Sequence, residues 1–324
     1  MNFTTQIPIP IATQPINYNS KIVSLGSCFA ENIAAKLDYF KFQNNCNPFG
    51  IIFNLVSIEK IIHKALNQEL FTEKDIFFLN ERWHCFNVHS DLSNANKVEL
   101  VNHLNQLLQS TKQQLHEATH IIITYGTSWV YRNLESNNIV ANCHKVAQKL
   151  FKKELLSVAN IEKSIQNTID LIQKINPNAN FIFTVSPVRH LKDGFVENQR
   201  SKAHLFTAIH QILQSEILQS KICNLKSAIY FPSYEIMMDE LRDYRFYADD
   251  MIHPSQVAID YIWRRFSEAT ISHESHTIMD EVKTIQKGLA HRPFNSNSES
   301  YQQFLSKLQD KISKLVSQYS FIKF

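Results

Sequence analysis

Glycine is scarce in this chain, with five in 324 residues (Gly26, Gly50, Gly126, Gly194 and Gly288), about a fifth of the usual ~7% share. Each one is therefore informative. The five cysteines (28, 46, 85, 143 and 223) are odd in number and show no CxxC spacing, which argues against a disulfide framework or a zinc ribbon. No apolar run approaches the roughly 18 residues of a membrane helix. Lys and Arg occur in pairs such as Lys152-Lys153 and Arg264-Arg265, without a basic block, and the net charge is only +3. These are solvated faces, not a nucleic-acid footprint. The opening "MNFTTQIPIPIATQPINYNS" has neither a basic n-region nor an apolar h-region, so no signal peptide is expected. The combined expectation is a soluble cytoplasmic protein with reduced thiols, no cofactor, no metal, and no membrane or nucleic-acid partner.

What is present is ordinary globular chemistry, 44% hydrophobic and 19% charged. Residues 1–20 read as an extended, Pro-rich arm. Short apolar runs at 21–25, 119–125, 180–186 and 227–232 read as strands, and a fifth is expected between 42 and 60. Periodicity predicts helices over 29–40, 54–67, 98–117, 153–176, 198–220, 254–269, 275–290 and 298–320. "NNCNPFG" (44–50) reads as a loop. "DIFFLNERWHCFNV" (75–88) reads as a hairpin turning at Asn80-Glu81, and 137–145 holds a short extended piece. Apolar strands alternating with helices predict a parallel sheet covered on both faces. Ligands of such sheets bind at the carboxyl ends of the strands. That places Gly26–Cys28, Gly126–Trp129 and Ser186–His190 near one another.

Gly26, Gly50 and Gly126 sit near strand exits, as tight turns or as members of a shared site. Ser27 and Cys28 stand where the first strand passes into a helix. Ser27 is a candidate cap. Cys28 at a helix N-terminus is expected to have a lowered thiol pKa, or else to be a small buried hydrophobe. In "YADDMIHPSQVAIDYIWRRF" (247–266), Pro254 suits a first helical turn, which puts His253 at the cap. Asp250 can then fold back onto one imidazole nitrogen, with Asp249 as an alternative. Arg189 can hold a carboxylate or phosphate bidentately or form a structural salt bridge. His190 reads as a surface or packing residue, and Trp129 and Tyr131 as packing or pocket-lining. Adjacent Cys143 and His144 point to opposite faces of an extended segment, which disfavours a metal pair.

"LGSCFAENI" (25–33) resembles the motif of the GSCFA family. The resemblance continues through "NPFGIIFN" (47–54), "YGTSWVY" (125–131), "VANCHK" (140–145), "SPVRHLKDGFVENQRSKA" (186–203) and "DDMIHPS" (249–255). It implies a relationship to the SGNH (GDSL-type) hydrolases. The implied fold is a three-layer α/β/α, flavodoxin-like SGNH hydrolase domain over 21–272, with a short parallel sheet, preceded by the arm and followed by a C-terminal helical extension over 273–324.

Carried over by motif, the nucleophile position falls on Cys28 and leaves Ser27 beside it. Gly50 matches the second-block oxyanion donor. The third block reads Gly126-Thr127-Ser128, with Ser128 standing where an asparagine is usual, and Asp250 and His253 match the last block. Asn47 and Arg189 complete the expected binding set. The implied activity is that of an esterase or acyltransferase acting on a small-molecule or glycan ester. His253, oriented by Asp250, takes the Cys28 proton, and the N–H groups of Cys28 and Gly50 with the Ser128 hydroxyl receive the oxyanion. The missing asparagine is the feature that favours the alternative, a non-catalytic module binding a glycan or a nucleotide-linked ligand.

Overall fold

The computed structural model describes residues 5–214 and 228–324. The expected helix beyond position 214, the strand residue at 227, Cys223 and the first four residues of the arm lie outside the described residues.

Three of the apolar runs become strands buried along almost their whole length: β1 (Lys21–Gly26), β5 (His120–Tyr125) and β9 (Asn180–Val185). Two shorter strands flank them, β2 (Gln43–Cys46) and β10 (Ala228–Phe231). Among the described residues these five form one parallel sheet in the order β10-β9-β5-β1-β2. Ranked by position in the chain, that is 2-1-3-4-5 from the other edge, the flavodoxin-like order of doubly wound sheets. The fifth strand is the polar "QNNC". It takes over part of the stretch expected to be a loop, and its edge position explains why it carries no apolar signature.

Side chains alternate across a strand, and this divides the core in two. Val23, Leu25, Ile121, Ile123, Phe181 and Phe183 face helices α2 (Leu55–Asn67), α3 (Lys97–Glu117), α4 (Val158–Ile175) and α5 (Phe195–Gln214). Ile22, Ile122 and Ile182 face the opposite way. They meet α1 (Cys28–Tyr39), α6 (Gln256–Thr270), α7 (His273–Ala290), α8 (Glu299–Gln318) and the N-terminal arm through Ile16 and Tyr18. Most helix starts follow from their caps: the side chains of Ser27, Asn54, Asn96, Ser157, Ser255, Ser272 and Ser298 each accept a bond from a first-turn N–H.

Three local features depart from or refine the expected pattern. The helix expected from 153 begins at Val158, because Phe151–Leu155 is a strand (β8) paired with β6 (Trp129–Asn133). Arg132 grips Glu154 across that pair. With β7 (Ile139–Val140) these form a small antiparallel sheet. The hairpin of β3 (Ile76–Leu79) and β4 (Arg82–Cys85) turns at Asn80-Glu81, both with positive φ, the geometry that suits the twist of two joined strands. Helix α6 begins at Gln256 with Ser255 as its cap, so His253 lies two residues before the cap and not on it.

The arm is fastened by a buried ion pair. Arg265 Nη1 donates to both oxygens of Glu240 at 2.5 and 2.7 Å, and Nη2 donates to the Ile7 carbonyl. Glu240 also accepts from the Ile7 N–H and the Tyr261 hydroxyl. The two charged side chains are 9% and 2% exposed. Removing one partner strands the other charge in the interior, which typically costs about 3–5 kcal/mol. Arg265→Met is therefore expected to lower the unfolding free energy by about that much, seen as a lower urea midpoint at unchanged slope. Arg265→Met with Glu240→Leu should recover part of the loss.

Candidate functional site

At the carboxyl end of the sheet the connection from β1 leads to α1 on one face and that from β5 to α4 on the other, the switch point at which doubly wound sheets form their ligand crevice. The backbone there is tightly constrained. Gly26 has φ +132°, and a Cβ on it would lie 2.1 Å from the Thr124 carbonyl oxygen, so only glycine fits. Its N–H donates to Asn47 Oδ1 at 2.8 Å, and the Ser27 N–H donates to the Thr124 carbonyl at 3.0 Å. Ser27 is fully buried and its hydroxyl accepts from the Phe29 N–H, which makes it the cap of α1. Cys28 is therefore the first residue of the helix. Asn47 also donates to Glu31, and its N–H bonds the Ser24 carbonyl. Gly50 closes the following turn by donating its N–H to the Asn47 carbonyl at 2.7 Å.

Of the two readings of Cys28, a thiol lowered by the helix N-terminus or a small covered residue, the direction of its pKa goes with the second: it moves up. Burial dominates and Glu31 adds to it, while Lys202 and the backbone N–H groups of Cys28 and Phe29 pull the other way. The helix N-terminus acts in the expected direction and is outweighed by desolvation.

His253 and Asp250 come together. Nδ1 of the imidazole lies 2.6 Å from Asp250 Oδ2, while Oδ1 accepts from the Ile252 and His253 N–H groups at 2.9 and 3.0 Å. Asp250, not Asp249, is thus the carboxylate on the ring. These bonds, led by that from the His253 N–H, hold its carboxyl down at about 2. Both side chains are just under half exposed.

Arg189 fastens this loop to the end of β9. Its N–H donates to the Ile252 carbonyl, its guanidinium donates to the Met251 carbonyl, and the guanidinium carbon stands 4.0 Å from the ring centre of Tyr247. Among the described residues no hydrogen bond joins His253 to Cys28.

Ser128 is fully buried, with its hydroxyl donating to the Ser201 carbonyl at 3.0 Å and its N–H donating to the Ser201 hydroxyl at 2.8 Å. Gly126 donates its N–H to the Phe53 carbonyl. The Gly126 carbonyl belongs to a residue that sequence reasoning passed over. Lys202, fully buried on α5, donates through Nζ to the Gly126 and Ser186 carbonyls, both at 2.7 Å. It ties together the ends of β5 and β9. Burial draws its pKa down to about 7, and Cys28 is the group that pushes it back up.

A signal for Lys202 exists in the sequence. Asn198, Ser201 and Lys202 lie on the same buried stripe of α5 as Leu205, Ala208 and Ile209, where polar residues are out of place. His190 packs edge-on against Phe53, its Nε2 is buried without a partner, and burial with the charges of Lys202 and His253 holds it neutral down to about 3. Trp129 donates to the Glu197 carbonyl and lies beneath Lys153.

Away from the crevice, His144 is buried against the Cys85 carbonyl, and burial lowers it to about 4. Among the described residues no group of three or more His, Cys, Asp or Glu is arranged to hold a metal ion, and no helix is long and apolar enough to cross a membrane.

Comparison with known proteins agrees with the motif positions. None of the curated proteins matches the chain. The model of the GSCFA family matches residues 21–266, from β1 into α6. A second model, described as the C-terminal domain of GSCFA domain proteins, matches residues 282–324. With most of its length matched, from the "LGSCFAENI" that ends β1 through the loop of Asp250 and His253, the chain belongs to the GSCFA family.

Proposed function

We propose that this protein is an acyl hydrolase or acyltransferase of SGNH type, acting on a small-molecule or glycan ester through Cys28, His253 and Asp250. The observation that carries the reading is the 2.6 Å contact of Asp250 with His253 Nδ1. It fixes the tautomer and leaves Nε2 uncommitted, as an acid–base group requires. Cys28 stands at the free N-terminal end of α1, where its own N–H can receive an oxyanion.

His253 Nε2 takes the proton from Cys28 as the sulfur attacks the ester carbonyl and a C–S bond forms, and the C–O bond to the leaving group breaks as Nε2 passes that proton to the departing oxygen. Water or an acceptor alcohol then gives a proton to His253 and attacks the thioester, and the acyl group departs from sulfur. Because the Gly50 N–H and the Ser128 hydroxyl are committed within the protein, the Cys28 N–H is the chief oxyanion donor, worth about 3 kcal/mol of barrier. That short supply of donors also favours a second reading, in which the crevice binds a glycan or nucleotide-linked ligand without turnover.

Two outcomes are expected. On a short-chain aryl ester, Cys28→Ala should abolish turnover and His253→Ala should lower kcat about 10²–10⁴-fold, with acylated Cys28 visible by mass spectrometry. An ester cleaved equally well by Cys28→Ala would refute the nucleophile, and binding without any turnover would favour the second reading. Separately, Asp250 is held below its unfolded value of ~3.9, so its support of the imidazole is complete above about pH 4 and lost as pH falls through about 2. Its carboxyl carbon should titrate near 2 by NMR. In His253→Ala it should rise only part of the way, because the backbone N–H bonds remain.

A further inference from the structure

Helices α1 and α6 both descend from the carboxyl end of the sheet. Cys28 opens α1 there, and the far end of α6 returns toward the residues that precede β1, where Ile271 bridges to Ile16. Between the two helices, with α7 along one side, runs an open groove of about 740 Å³. That volume lies within the range of small-ligand clefts. We propose that this groove is a subsite for an uncharged, extended sugar chain, and that it holds the glycan whose ester meets Cys28. The inference rests on the acyl chemistry of Cys28 and His253 and narrows its substrate to a glycan.

Both helices carry the groove up to the crevice. On α1 it is lined by Asn32, Lys36 and Tyr39. Successive steps of four, four and three residues from Cys28 keep them on the thiol's own stripe of the helix. Asn32 stands one turn, about 6 Å, below Cys28, and Tyr39 about 10 Å below Asn32. On α6 the lining starts at Gln256, three residues after His253, and continues through Asp260 and Trp263. A chain lying along the groove therefore ends between the two catalytic motifs.

The chemistry of the lining selects the ligand. Three basic side chains, Lys36, Arg264 and Lys283, are matched by three acidic ones, Asp260, Glu268 and Asp280, so no net field favours an ion of either sign. An acyl chain is a poor occupant, because it would strip water from these charged and amide groups without pairing them. Hydroxyls suit the same groups, since each can donate and accept. Lys36 and Gln256 both donate to Asp260, the latter at 2.9 Å, and hold its carboxylate between the two helices. Among the described residues the side chains of Asn32, His276, Asp280 and Lys283 have no hydrogen-bond partner, which leaves them to a ligand. Aromatic rings supply the apolar part. Trp263 is stacked on Phe40 with ring centres 5.7 Å apart, and Tyr39, 38% exposed, meets Phe40 edge to face. The electron-rich faces of such rings attract the C–H faces of a sugar, while polar side chains meet its hydroxyl edges.

The probe is cellotetraose, a neutral β-1,4-linked tetrasaccharide, titrated into the ¹⁵N-labelled protein with the Trp263 indole N–H as reporter. That signal, assigned by its loss in Trp263→Phe, should shift in a saturable way. Ala35 is exposed and lines the groove on α1. Ala35→Phe therefore fills the groove without entering the core and should weaken binding about tenfold or more. His276→Ala, on the α7 side, should weaken it in the same direction. No shift at Trp263, or binding that both variants leave intact, would overturn the proposal. Tighter binding of the anionic tetragalacturonate would reject an uncharged ligand. Turnover separates the groove from the chemistry above it. On O-acetylated cellotetraose, Ala35→Phe should lower kcat/KM far more than on the short-chain aryl ester. Saccharide binding without turnover of either ester keeps the groove and rejects the acyl chemistry. Aryl-ester turnover by a protein that binds no saccharide does the opposite.

Discussion

Gly26 lies so close against the backbone of Thr124 that no side chain fits between them, and the geometry of the crevice descends from that contact. The approach lets the Ser27 N–H reach the Thr124 carbonyl and turns the chain out of the sheet within one residue. Ser27 can then cap α1 and Cys28 becomes its first residue. The Asn47 side chain secures the same bend from the other side, holding the Gly26 N–H with one end and Glu31 with the other. The thiol's position is thus fixed by backbone bonds on both sides of the glycine.

A second constraint acts from the opposite core. The buried stripe of α5 is apolar where it faces the middle of the sheet and polar where it reaches the strand ends. Ser201 there answers Ser128 and Thr127, and Asn198 accepts from the His190 N–H. Lys202 satisfies two carbonyls that have left the ladder. These groups stand where β5 and β9 stop pairing and their last backbone acceptors would otherwise be buried without donors. Arg189 does comparable work at the surface, clamping the Asp250 loop by its carbonyls.

The central strands were legible because a doubly buried parallel strand shows as an uninterrupted apolar run, as in Ile121-Ile122-Ile123. Strand β2 was visible only as a gap to be filled, since "QNNC" sits at an edge. Strand β8 was hidden because "KKEL" has the composition of a solvated helix, and its partner across the small sheet is over twenty residues away. At the crevice, Cys28, Asp250 and His253 stand in recognisable motifs, so their neighbourhood could be anticipated. Two things could not. The direction of the thiol's shift depends on how much protein covers it, and Lys202 in isolation reads as one more helix-surface charge. Only its place on the stripe with Leu205 and Ile209 marks it, and that stripe is secure only once the helix is seen.

The arm's attachment bears on how the chain is made. Ile7 bonds with Glu240 and Arg265, and Ile16 bridges to Ile271. The arm therefore cannot settle until α6 has followed. At roughly 5–20 residues per second that interval is on the order of ten to fifty seconds. During it, the face of the sheet bearing Ile22 and Ile122 has α1 against it but lacks α6, α7, α8 and the settled arm. The nascent chain thus carries an uncovered apolar surface for most of its synthesis.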